Sequence, residues 1–457
     1  MFCFLFLSAC FLVPHGSFLT SCRQSLTFPY KTIKCQLQVQ RTSAIRPSKI
    51  NKIFLTHAHG DHTFGLPGLL CLMGQDRPQS SPNDDNDNEV VDIYGPEGLR
   101  MWLRVAIRYS VSRIVPKYRV HELKDVPMAP EWRYSPRAQR YIYRGLSNSK
   151  DADVGWSDPD TAFRHSSDHW LRRYDRIDLP PSERYGEVSG GRDIYPYYGH
   201  HLSSDGAPVW EVEGFEGDNK GNTKSKKGKN VNVSDDTDSV KVYAAPMSHG
   251  IPCVGYSIQE MDRPGRLKDE IVRPIVEQNL EGLKNEMGYK HPLKSMADIK
   301  NMQPGESFMF PDGTALTQEE AVDPPKAGRR VVVLGDTSSA RAMSRLAHEA
   351  DVVIHEATNT YLYGVDPPTA NLRDVTKDAI FHGHSTPHMA GLFAKNVDAK
   401  RLILNHFSAR YKGNADLDGM TIMHQIEQQA MSKSGLEHDS VVAAWDMMIY
   451  PIPLRST

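Results

Sequence analysis

The sequence predicts a layered α/β domain whose chemistry gathers along one edge of its sheets. Two observations carry this. Apolar runs of β type recur through the chain, and each stops at or just before a histidine or an acid: residues 52–56 before His57, 240–245 before His249, 331–335 before Asp336, 351–354 before His355 and Glu356, and 401–405 before His406. Helical segments lie between them. Strands and helices therefore alternate, and the strand ends carry polar side chains to a common rim.

The elements follow in order. Residues 2–13 are almost wholly apolar, too short to span a bilayer, and resemble a signal-peptide core without basic residues ahead of it. From Met1 to Gly60 there is no Asp or Glu, while Arg23, Lys31, Lys34, Arg41, Arg46, Lys49 and Lys52 accumulate. An apolar, then basic and acid-free start fits import into an organelle, a plastid or a mitochondrion. The alternative is a start without targeting meaning, which leaves the cytosol or the nucleus. No other segment is apolar enough to cross a membrane, so no stable membrane association is expected of the mature protein. Residues 50–71 read as a strand, a polar loop and an apolar helix start at 64–70. Residues 75–89, rich in Asn, Asp, Ser and Pro, read as a disordered loop. Residues 90–94 form a strand, and a helix runs from about 97 to 110 with Leu99, Trp102, Leu103 and Ala106 on one face.

Residues 125–239 have weak periodicity and many Tyr, Arg, Pro, Gly and Ser, and read as a largely disordered insertion. The basic run Lys224-Ser-Lys226-Lys227-Gly-Lys229 inside it is more often solvated than RNA-binding, and His200-His201 reads as surface. Order returns with the strand at 240–245. Beyond the strand at 331–336, Thr337 or Ser338 is placed to cap a helix over 340–349.

With 457 residues and a net charge of -2, the chain is no generally basic nucleic-acid binder, so any RNA contact must come from a local patch. Four of its six cysteines fall in the first 35 residues, with no Cys-x-x-Cys, which favours a reducing compartment for the mature body.

The densest chemistry is His57-Ala-His59-Gly-Asp61-His62, directly after a strand. A strand that ends in a tight loop turns alternate side chains to one point, and neutral imidazole with carboxylate is the donor set zinc prefers outside thiolate sites. His57 and His59, two apart, can share one metal. Asp61 and His62 can reach a second beside it. With His249, Asp336 and His406 the set resembles the metallo-β-lactamase superfamily. The resemblance narrows at Pro67-Gly68-Leu69-Leu70, Gly335-Asp336-Thr337, His355-Glu356-Ala357-Thr358, His384-Ser385-Thr386 and Asn405-His406-Phe407-Ser408-Ala409-Arg410-Tyr411. Together these look like the tRNase Z (ribonuclease Z) family, over residues 40–72, 90–120 and 240–453.

That resemblance implies an αββα four-layer sandwich over 36–457 with a leader at 1–35. It implies two Zn²⁺ per subunit, one on His57, His59, His249 and Asp336, the other on Asp61, His62, His406 and a bridging Asp336. It implies removal of 3′ trailers from precursor tRNA, with Asp61 aligning or deprotonating the attacking water and His384, steadied by Glu356, stabilising the phosphorane or protonating the leaving 3′ oxygen. Residues 263–325 resemble the family's exosite arm, here carrying Arg263, Arg266, Lys268, Arg273, Lys284, Lys290, Lys294 and Lys300. An arm on the same domain as the site is similar to the short, homodimeric form. Two departures stand out. The 125–239 insertion has no counterpart, and the family's first strands, with a Gly-Thr-Gly-Ser turn and an Asp-Cys-Gly-Glu-Gly-Thr-Gln segment, are missing or replaced by the apolar leader. An open sheet edge and a thinner shell around the metals are the expected cost. The rival readings are another metallo-hydrolase of this fold, or an inactive RNA-binding remnant.

Overall fold

In the computed structural model, the described residues are 10–14 (backbone), 46–75, 90–112, 115–128, 179–214, 240–263, 265–411, 416–445, 448–453 and 455. The readings made for the rest of the leader, for 76–89, for 129–178 and for the basic run at 224–229 fall outside them. No helix among the described residues is long and apolar enough to cross a membrane.

The first sheet has the order β1 (Cys10–Pro14), β2 (Ile50–Leu55), β3 (Val91–Pro96), β4 (Tyr118–Leu123), β5 (Asp193–Ile194); β1 runs antiparallel to β2 and the others pair in parallel. The second sheet takes β6 (Trp210–Glu213), β7 (Val240–Pro246), β8 (Val254–Glu260), β11 (Arg330–Val333), β12 (Val352–Glu356), β13 (Leu402–Asn405) and β14 (Val441–Ala443), in the order β14-β13-β12-β11-β8-β7-β6. From β11 to β14 the pairing is parallel, and those strands read as unbroken apolar runs because both faces are covered.

Period-two alternation assigns each strand's side chains to two layers. On β2 and β3, Ile53, Leu55, Val91 and Ile93 pack under the helices Leu66–Gln75 and Leu99–Tyr109. The latter helix buries Leu99, Leu103 and Ile107, with Ile107 in place of the expected Ala106. On the second sheet, Val332, Val353, Leu402, Leu404 and Val441 join a core with the helices Pro387–Asn396 and Leu417–Ser434. Between the sheets, Phe54 stacks on Tyr94 at 4.8 Å and meets Tyr256 edge-on at 5.4 Å, while the Tyr256 hydroxyl donates to the Leu55 carbonyl. This is the four-layer αββα arrangement.

Three expectations change. The stretch 179–214 is ordered, and it adds an edge strand to each sheet. Trp210 is fully buried and donates Nε1–H to the Lys124 carbonyl at 3.0 Å. Burial of that ring alone stabilises by roughly 3 kcal/mol. Glu213 accepts from Lys52 Nζ at 2.8 Å and from the Tyr94 hydroxyl, and Glu187 holds Arg104 through both carboxylate oxygens. These contacts are long-range and the strands hold only two and four residues, so no periodicity announces them. The second change is at the first sheet's edge, where Cys10–Pro14 pairs with β2 along the side expected to stay open. The third is the expected helix over 340–349. It is a 3-10 turn, Arg341–Met343, followed by a single turn, Ser344–Ala347, and Thr337 and Ser338 cap neither. Thr337 is drawn instead into the site described below.

Residues Gln259–Arg329 belong to a second compact unit. Its core is Val272, Val276, Leu283, Ile299, Phe310, Leu316, Ala321 and Val322, built on the helices Asp269–Gln278, Leu280–Asn285 and Ser295–Lys300 and the hairpin β9 (Ser307–Met309) with β10 (Ala315–Thr317). Bridges Arg263–Lys326 and Leu267–Val322 and the buried Glu260–Arg329 ion pair at 2.5 Å hold its two chain ends together.

Candidate metal centre

Each candidate ligand stands just past a strand. After β2, His57 forms a bridge with Cys253, His59 leads into the single turn Gly60–Thr63, and that turn is closed by His62 N–H and the Thr63 hydroxyl donating to the His59 carbonyl. The turn brings Asp61 and His62 back beside His57, with the His57 and His62 rings 3.9 Å apart. His249 ends the β7 loop, where Met247 N–H donates to the Cys253 carbonyl and Ser338 N–H to the Ser248 carbonyl. Asp336 follows Gly335, which admits no side chain: a Cβ there would lie 2.7 Å from Thr56 Cβ and 2.9 Å from Cys253 Sγ. His406 follows β13 with φ +56, left-handed for a residue with a Cβ, at a cost on the order of 1–2 kcal/mol.

Two donor groups result. His57, His59, His249 and Asp336 converge as one, and Asp61, His62, His406 and Asp336 as the other. His59 Nδ1 stands 3.1 Å from both His57 Nε2 and His249 Nε2. One proton cannot serve three ring nitrogens, whereas a cation at their centre can. Asp336 spans both groups, 3.7 Å from His57, 3.4 Å from His62 and 3.3 Å from His406. Asp61 lies 3.5 Å from His406 and 3.7 Å from His62.

The charges suit a cation. Burial pulls His57 and His249 below the ordinary imidazole range and His59 down to about 4, so these rings are neutral ligands at pH 7. The hydrogen bond from His406 holds Asp61 at about 2. Burial opposes ionisation of Asp336, yet the charge of His406 above all, with the hydrogen bond from His62, outweighs it and keeps the carboxylate charged. Burial would lower His406, but Asp336 and Asp61 raise it to about 9. A histidine kept protonated against burial by the carboxylates around it, Asp336 first, then Asp61 and Glu356, occupies the place of a cation, whose charge would substitute for that proton. The donor set fits zinc.

Outer contacts aim the rings. His249 Nδ1–H donates to the Gly383 carbonyl at 2.8 Å, which turns Nε2 inward; Thr56 Oγ1 is 3.0 Å from His57 Nδ1. His406 Nδ1–H donates to the Thr358 hydroxyl at 2.7 Å, and that hydroxyl donates to Glu356. Glu356 is fully buried. It also accepts from Thr337 N–H and, at 3.2 Å, from His384 Nδ1–H. Burial would lower the His384 pKa, but the Glu356 hydrogen bond and charge raise it. Glu356, His384 and His406 thus form a third cluster at the same mouth.

All nine candidate ligand and catalytic residues therefore meet. Three other histidines take other partners: His355 Nδ1–H donates to the Glu356 carbonyl, His382 pairs with Asp378 at the surface, and His200, read as surface, contacts Glu211 at 3.3 Å. Sequence reasoning overlooked Thr358, Thr337, Thr56 and the Gly383 carbonyl. The first two stood in quoted motifs, but nothing in a linear sequence says that their hydroxyl or N–H faces a carboxylate.

Comparison with known proteins adds an independent line. Residues 36–70 match the model of the Metallo-beta-lactamase superfamily. The chain is 30% identical over 421 residues to zinc phosphodiesterase ELAC protein 1 of Bos taurus, covering 90% of this chain and 87% of that protein. It is 26% identical over 380 residues to ribonuclease Z of Limosilactobacillus reuteri (strain DSM 20016), covering 83% of this chain and 77% of that one. Among solved structures, human tRNase Z, short form (ELAC1), matches with TM-score 0.43 and 22% identity over 92% of this chain and 85% of the other.

Proposed function

Because the chain belongs to the tRNase Z (ribonuclease Z) family of the metallo-β-lactamase superfamily, we propose that this metal-dependent phosphodiesterase is the endoribonuclease that removes 3′ trailers from precursor tRNA, leaving a 3′-hydroxyl. The observation that carries the reading is the pair of donor groups sharing Asp336, with the Glu356–His384 pair at their mouth.

His57, His59, His249 and Asp336 would hold one zinc, and Asp61, His62, His406 and Asp336 the other; together the ions would supply Lewis-acid polarisation of a phosphate oxygen and a water of lowered pKa. The protein's own groups do the rest. Asp61 is ionised and partly exposed, so it can align an incoming water and take its proton. His384, its pKa raised by buried Glu356, keeps a proton on the ring; with Nδ1–H given to Glu356, Nε2–H is left for the 3′ oxygen as the P–O3′ bond breaks. Thr337 N–H and the Thr358 hydroxyl hold Glu356 in place for this.

The RNA-binding role is assigned to the basic side chains of the 263–325 arm, through phosphates of an A-form stem. Arg266, Lys284, Lys290, Lys294 and Lys300 are exposed and suited to it. Arg263 and Lys268 are less so: Arg263 lies 3.5 Å from Glu260, and the Lys268 ammonium donates to the Glu319 carbonyl. Assembly as a homodimer is part of the same proposal.

The test is cleavage of a 3′-extended precursor tRNA by the purified chain, with zinc measured on the same sample. Cleavage at the end of the acceptor stem with zinc bound is the expected result. A chain that binds zinc, hydrolyses a small diester and leaves the precursor intact would overturn the tRNA assignment.

A further inference from the structure

Phe64 is 66% exposed, immediately beyond a turn whose His62 and Thr63 are buried. It keeps helical backbone angles (φ -62, ψ -21), so Asp61 and Phe64, three residues apart, share one face of the turn. That face is the open one: Ala58, Asp61 and Phe64 are the exposed residues of the 57–64 segment. Asp61 reaches inward to within 3.5 Å of His406, so Phe64 follows by three residues, on the same short turn, a side chain of the metal centre.

The ring is not loose. It lies back over Gly60, where a Cβ would come within 2.3, 2.6 and 2.8 Å of three ring carbons. Glycine is the residue that lets the ring rest on the backbone, and the ring's exposure leaves its other side open. Core packing does not explain a phenylalanine so exposed. Within the 57–64 segment its exposed neighbours are Ala58 and the anionic Asp61, so the segment offers a protein partner no apolar stretch. A flat aromatic surface fixed in advance beside a phosphodiester-cleaving site suits a nucleobase, which stacks without sequence-reading hydrogen bonds.

We propose that Phe64 is a stacking platform for a base flanking the scissile phosphate, a residue that positions the RNA strand across the metal centre. The proposal rests on the precursor-tRNA reading above. The test compares wild type, Phe64→Ala and Phe64→Trp on intact precursor tRNA and on precursors made abasic at the nucleotide on either side of the cleavage point, with zinc content and oligomeric mass measured for each protein. F64A should raise KM roughly 10-fold with kcat nearly unchanged, and F64W should restore it. One of the two abasic substrates should raise KM for wild type by a similar factor and add nothing further for F64A, the non-additivity of a direct contact. An unchanged KM in F64A, or independent losses from the two changes, would overturn the proposal. A fall in oligomeric mass in F64A would overturn it in favour of a subunit contact. A wild-type chain that leaves intact precursor uncut would defeat the functional reading and this one together, whereas wild-type cleavage with an indifferent F64A defeats the platform alone.

Discussion

Thr358→Val removes one hydroxyl and nearly preserves the side chain's volume, so its effect reports the hydroxyl's contacts. That hydroxyl accepts from His406 Nδ1–H at 2.7 Å and donates to Glu356. In the variant His406 Nδ1 faces Glu356 from 3.9 Å, beyond hydrogen-bond reach, while Glu356 keeps Thr337 N–H and His384. A hydrogen bond to a charged group is worth about 1.5–3 kcal/mol, so the metal-free protein should lose about 2 kcal/mol of stability. Loss of an outer partner typically weakens a metal site by roughly 10- to 100-fold. The loss should fall on one site: Thr358 contacts His406, a member of the second donor group, whereas His57 and His249 in the first are met by Thr56 Oγ1 and the Gly383 carbonyl. Competition titration of the apoprotein with zinc against a chromogenic chelator would resolve the two sites. One weakened and one unaltered affinity is the expected pattern, and Thr358→Ser should behave as wild type. Two unaltered affinities, or equal weakening of both, would refute the reasoning.

Other perturbations follow from the same contacts. His384→Ala should lower kcat on precursor tRNA by about 10²- to 10⁴-fold with zinc content unchanged, read from single-turnover kinetics and metal analysis. Gly391→Ala should destabilise by about 2 kcal/mol or more in chemical denaturation, because its Cβ would fall 2.1 Å from the Ala430 carbonyl oxygen and force two packed helices apart. Glu260→Gln should cost about 3 kcal/mol at neutral pH by leaving Arg329 buried without its charge partner. Burial opposes Glu260 ionisation, but Arg329 holds its pKa below the ordinary value. Its stabilisation is therefore full above the unfolded pKa, about 4.3, and fades as pH falls through the lower folded value. Urea midpoints measured from pH 7 to pH 3 should fall less steeply for the Gln variant, and parallel curves would count against this role.

The Thr358 hydroxyl and the Phe64 ring mark where linear reading stopped. Both lay within or beside motifs already quoted, yet an outer-shell contact depends on a side chain's direction, which spacing does not encode. The 179–214 stretch was misread for a related reason. Its strands of two and four residues form only because β4 and β7 lie ready to pair with them, and Trp210 is apolar core only once both are in place.

What the sequence determined by itself is local in kind. A β run followed by His-x-His-x-Asp-His dictates a strand and a ligand loop, because side-chain alternation and a tight turn act over a few residues. The later strand-end acids and histidines repeat that rule, so the layered fold class was legible, and so was the list of candidate donors that the fold brings together. The tertiary structure alone decided what those ligands face. It set His59 Nδ1 between two other ring nitrogens, stretched Asp336 across both donor groups, and brought Glu356 from the end of β12 to serve Thr337, Thr358 and His384 at once. These are distances between residues far apart in the chain; His59 and His249 alone are separated by 190 positions. They are set by how two sheets pack, a cooperative outcome of the whole core that no window of sequence contains.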